Sequence, residues 1–145
     1  MPLPSQINDL RFPVVLWRKG YSYVASTALE LCTHPRNLLS DTQERAARGE
    51  LMLLDSAGRV YSVKAYQPVS PFGGPMRFAH LLLRSAYAAP VLGEPTAPPL
   101  PQFKSVLANA VRLRFRDQLV KGMASLSTAA EAVALAAKLD RSSSP

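Results

Sequence analysis

One stretch limits the fold more than any other: Glu50 to Tyr66, ELMLLDSAGRVYSVKAY. Leu51 to Leu54 is an apolar run of strand length, too short for a helix of ordinary size. Asp55-Ser56-Ala57-Gly58 supplies a turn. Aspartate at the first turn position can accept hydrogen bonds from backbone N–H groups ahead of it. Glycine at the fourth takes a positive φ without steric cost. The return strand, Arg59 to Tyr66, is rich in Val and Tyr, which suit a pleated, half-buried surface. The stretch is therefore a β-hairpin, and it carries no reactive motif.

The segments before it build toward the same sheet. Val14-Val15-Leu16-Trp17 and Tyr21-Ser22-Tyr23-Val24-Ala25 flank Lys19-Gly20 and read as a first hairpin. Ser26 is placed to cap a short helix, Thr27 to Thr33, carrying Leu29 and Leu31, which Pro35 prevents from continuing. Ser40 or Asp41, with Gln43 or Glu44 three residues on, opens a second helix that Gly49 closes. The first half thus predicts β-β-α-α-β-β: an α+β fold on a small antiparallel sheet of four strands.

The second half is less regular. Gln67 to Pro75 is loop, and Met76 to Ala88 has helical spacing. Residues 89–101 hold Pro90, Pro95, Pro98, Pro99 and Pro101, the composition of an extended connector inside a single domain spanning 1–145. Gln102 to Lys121 reads as helix through Phe103, Val106, Leu107 and Val111. The alternation of residues 111–116 fits a strand as well, and a continuous helix would set Arg114 in its apolar stripe. Thr128 and Glu131 form a capping box before an Ala-rich helix to about Leu139. The expected core holds Val15, Leu29, Leu53, Val63, Leu82 and Leu107.

Charge and cysteine content narrow the function. The net charge is +7. Residues 1–69 carry 8 Lys/Arg against 6 Asp/Glu, and residues 70–145 carry 9 against 4, so the second half is the basic one. That balance suits an anionic partner or simply a solvated surface. Cys32 is the only cysteine, which excludes an internal disulfide and fits a reducing compartment. The N-terminus lacks a basic region followed by an apolar one, and no apolar run approaches the roughly 20 residues that span a bilayer. The expectation is a cytoplasmic protein without a membrane span.

No catalytic or cofactor motif is present. His34, His80 and Cys32 lack metal-ligand spacing. His34, beside Pro35, reads as a surface loop residue. There is no GxSxG elbow, and Gly73-Gly74 lacks the lysine of a phosphate loop. The chain is therefore expected to be non-enzymatic and to need no metal or cofactor. Trp17, Tyr21 and Tyr23 are candidate partner-binding residues, because aromatic side chains on a sheet anchor interfaces when exposed. Arg112, Arg114 and Arg116 are the other candidates, since arginine pairs with carboxylate and phosphate through two parallel hydrogen bonds.

The pattern FPVVLWRKGYSYVAS, a short Leu-containing helix, then GELMLLDSAGRVYSV resembles small bacterial immunity-type proteins, which neutralise the cognate toxin of a secretion system. The resemblance covers residues 12–66, with LLDSAGRVY its most suggestive part. It implies a single-domain, non-enzymatic cytoplasmic protein whose partner is a protein toxin or effector. Many such inhibitors are acidic, and at +7 this chain departs from them. The second reading, resting on charge, is a nucleic-acid-binding or regulatory module.

Overall fold

The computed structural model describes residues 7, 9–18, 21–35, 38–68, 85–111 and 113–142. Strands β1 (Val14–Arg18) and β2 (Tyr21–Ala25) make the first hairpin. Helix α1 (Ala28–Cys32) and strand β3 (Thr33–Pro35) follow, then helix α2 (Leu39–Ala47). Strands β4 (Leu51–Leu54) and β5 (Val60–Pro68) form the central hairpin. After β6 (Ser85–Leu92) come three helices: α3 (Leu100–Ala110), α4 (Leu113–Met123) and α5 (Ala129–Ser142). The class is α+β, as expected, and the sheet is antiparallel. It has six strands among the described residues, in the order β2-β1-β4-β5-β6-β3, not four.

Both faces of the sheet are covered, which explains why Leu51–Leu54 is apolar at every position. Successive strand residues point to opposite faces. Val14, Leu16, Leu51 and Leu53 join one cluster, closed by Leu31, Cys32 and Ala46 from α1 and α2. Val15, Trp17, Met52 and Leu54 join the other, closed by Phe103, Leu107, Leu119 and Val133 from the C-terminal helices. Val15, Leu53, Val63 and Leu107 are buried as expected, whereas Leu29 is 53% exposed. Leu29 and Leu31 lie two residues apart on one helix, about 200° around its axis, so only one can face inward. Leu82 lies outside the described residues.

Local capping follows the sequence with shifts of a residue or two. Thr27, not Ser26, caps α1: its Oγ1 accepts the Glu30 N–H at 3.1 Å, and Glu30 Oε2 accepts the Ser26 N–H at 2.7 Å. Leu38 precedes α2 with no side-chain cap, so neither Ser40 nor Asp41 caps it; Asp41 pairs with Arg45 instead. Gly49 ends α2 at φ 73°, as read. Thr128 caps α5 by accepting the Glu131 N–H at 3.2 Å, while its hydroxyl donates to Glu131 Oε1 at 2.9 Å.

The second half required more correction. Residues 85–88, expected to end a helix, begin strand β6. β6 pairs with β5 along one side and with β3 along the other, and that pairing overrides the helical preference of its alanines. Residues 76–84 lie outside the described residues. Pro90 is accommodated because, among the described residues, β3 reaches only as far as Tyr87. The strand takes residues 89–92 of the Pro-rich stretch, and α3 takes Leu100 and Pro101. Between them Thr96 bonds back to Val60 in both directions, at 2.8 and 2.9 Å.

Residues 102–110 and 113–121 are helical, in two pieces. Val111 is extended, at φ −88° and ψ 165°, and ends α3. Breaking there re-phases α4, so that Leu119 and Met123 join Phe103 and Leu107 in one core. The strand alternative for residues 113–116 is thereby excluded.

Candidate functional site

The turn between β4 and β5 is built around a buried carboxylate. Asp55 is fully buried. Its Oδ1 accepts the N–H groups of Ala57 at 3.1 Å and Arg59 at 3.0 Å. Its Oδ2 accepts from the Arg59 guanidinium, Nε at 3.0 Å and Nη2 at 2.8 Å. The same Nη2 donates to the Asp9 carbonyl at 2.7 Å. Ser56 completes the junction: its N–H donates to the Arg11 carbonyl at 2.9 Å and its hydroxyl to the Pro13 carbonyl at 2.6 Å. Gly58 has φ 84°, as the turn reading requires. A Cβ there would also come within 3.1 Å of the Ala129 Cβ.

Arg59 is thus held in one orientation, and it lines an open groove of about 510 Å³ with Asp9, Tyr61, Lys64, Gly93 and Glu94. Its guanidinium lies 5.8 Å from the centre of the Tyr61 ring. A Cβ on Gly93 would fall 2.8 Å from Lys64 Cε and 2.7 Å from Ser62 Oγ, so the glycine makes room for the lysine stem across the sheet. Burial lowers the pKa of Arg59, but the hydrogen bond and charge of Asp55 raise it more. Burial also raises Tyr61, with Arg59 opposing. Both shifts move away from neutrality, so this pair is suited to holding a partner and not to exchanging protons.

Of the residues singled out by sequence, Trp17, Tyr23 and Arg116 do not line this groove. Trp17 is half-buried against the cluster that the C-terminal helices close, whereas Tyr23 packs on the other one. Arg116 donates from Nε to the Ala108 carbonyl at 3.1 Å, closing the end of α3. Lys104 likewise donates to the Leu126 carbonyl at 2.5 Å. Arg116 therefore serves a helix end, and Lys104 is held to the loop that follows α4. Arg112 lies outside the described residues, as do the side chains of Tyr21 and Arg114. So do His80 and Gly73-Gly74. Arg59 and Lys64 were passed over, although an aspartate four residues before Arg59 was a usable signal.

His34 is not a surface residue. It is 5% exposed on β3. Its Nε2–H donates to the Ala88 carbonyl of β6 at 2.9 Å, and its ring meets Tyr66 edge-on at 4.9 Å. Cys32 is buried, which pushes its thiol up to about 11. Among the described residues no three His, Cys, Asp or Glu side chains are grouped to hold a metal ion. No described helix is long and apolar enough to cross a membrane. No family model, curated protein or solved structure matches the chain.

Proposed function

We propose that this chain is a non-enzymatic, cytoplasmic protein-binding module of the immunity type, which inhibits a cognate protein toxin. The observation that carries the reading is the groove beside the central hairpin. It presents an arginine locked by a buried aspartate next to a tyrosine, and Arg and Tyr are the residue types that dominate binding energy at protein interfaces. A group already fixed in place loses little freedom when a partner arrives. The segment that resembles immunity proteins, residues 12–66, also forms four adjacent strands of one sheet, β2-β1-β4-β5. Nucleic acid is the second reading. The basic second half favours it, but Lys104 and Arg116 direct their charge to backbone carbonyls of the chain itself.

Lys64 is exposed, so Lys64→Glu tests the groove without disturbing the core. A tagged wild-type chain should recover one protein partner from its native host, and that protein should be toxic when expressed without the chain. Lys64→Glu should weaken the complex by about 1–2 kcal/mol while leaving thermal stability unchanged. Strong, steeply salt-dependent binding of random DNA or RNA, with no protein recovered, overturns the proposal in favour of the nucleic-acid reading.

A further inference from the structure

β3 is three residues long and, among the described residues, stands at the edge of the sheet and pairs only with β6. Three ladder pairs are a slight hold for an edge strand, so its attachment depends on what its side chains do. His34, the middle residue, is buried and donates its Nε2–H to the Ala88 carbonyl, beyond the end of the ladder at Tyr87. Because that nitrogen carries the proton, the neutral ring leaves Nδ1 bare. A second proton would add a charge and a donor inside an apolar cluster.

We propose that His34 is an acid-operated latch: neutral, it holds β3 against β6, and protonation releases β3 from the sheet.

Among the described residues, no charged group acts on the ring. The elements packed on β3 are β6 and α1. β6 carries no formal charge; its one titratable group, Tyr87, is half-buried in the same cluster. On α1 the titratable groups are Cys32, whose thiol burial keeps neutral, and Glu30. Glu30 is exposed and turned back onto the Ser26 N–H. β5 contributes Tyr66 against the ring, and its Lys64 is exposed. Burial lowers the histidine pKa below its ordinary 6.5, and the Ala88 bond offsets only part of this. In the opened form the ring is solvated and titrates near 6.5, so acid favours opening.

Cys32, 1% exposed and adjacent to β3, reports the opening. The native chain is treated with dithiodipyridine, a thiol reagent that remains reactive in acid, and its rate is divided by that of the unfolded chain at the same pH. Between about pH 8 and about pH 5 the ratio should rise by up to about 30-fold, the factor by which protonation stabilises the opened ring. His34→Gln keeps a side-chain N–H donor but cannot be charged, so its ratio should stay flat. An equal rise in His34→Gln, or no rise in the wild type, overturns the latch. An NMR titration of the wild type, with His80→Asn to assign the signals, is independent of that variant. A His34 midpoint below 6.5 supports the latch, and one at or above 6.5 overturns it.

Discussion

Two aspartates in this chain each hold an arginine four residues on, at nearly the same distance. On α2, Asp41 and Arg45 meet at 3.0 Å with side chains 46% and 28% exposed. At the central turn, Asp55 and Arg59 meet at 2.8 Å, with Asp55 wholly buried. The residue types and spacing are identical, but the surroundings are not. An exposed helical pair gains little, because water and salt screen it and two long side chains lose freedom. A buried carboxylate has left water entirely and depends on its partners. Asp55 has them: three backbone N–H groups, of Arg11, Ala57 and Arg59, and two guanidinium N–H groups. Identical sequence spacing therefore marks a buried structural junction in one region and a partly solvated helix pair in the other.

The comparison breaks most directly at Asp55. Asp55→Ala leaves the Ala57 and Arg59 N–H groups without their acceptor and should cost about 3 kcal/mol in a denaturant titration. A loss below about half a kcal/mol, the range of ordinary surface changes, would mean that the pair is no different from the one on α2. Gly58→Val reaches the same junction through the backbone. A β-branched residue at φ 84°, with Ala129 3.1 Å from its Cβ, should cost about 2 kcal/mol.

pH separates this buried charge from the buried neutral group on strand β3. The folded pKa of His34 lies below 6.5, so the unfolded chain takes up a proton first as pH falls. The histidine's contribution to stability is complete above 6.5 and declines as pH drops toward the folded value. Urea midpoints across that window should fall in the wild type and hold level in His34→Gln once the shared carboxylate effects are subtracted. The smallest expected effect is Asp41→Ala, about 0.3–0.5 kcal/mol, disappearing in high salt. The Asp55→Ala loss should survive the same salt.

The candidate groove was only partly legible in the residues. Asp55, Gly58 and the strands around them follow from local rules, because a turn is decided within four or five positions. What Arg59 would do was hidden. Its orientation depends on Asp9, fifty residues earlier, and on Asp55 being covered by the N-terminal segment through the Arg11 and Pro13 carbonyls. The basic cluster misled for the same reason. Charge is visible in sequence, but the carbonyls that Lys104 and Arg116 satisfy appear only once α3 and α4 are packed.

By itself the sequence determined the first hairpin, the central hairpin with its positive-φ glycine, the helix stop at Gly49 and the capping of the last helix. Each of these rests on contacts between residues a few positions apart, where propensity and hydrogen-bonding geometry decide. Only the tertiary structure decided that residues 85–92 are a strand, that the chain from 102 to 121 breaks at Val111, and that His34 is buried. β6 exists because β5 and β3 flank it, Val111 is extended because one continuous helix could not bury both Leu107 and Leu119 on the same sheet, and His34 is inside because β6 offers it a carbonyl 54 residues away. Pairing between strands far apart in the chain, and the burial that comes with it, are properties of distant partners that no local pattern encodes.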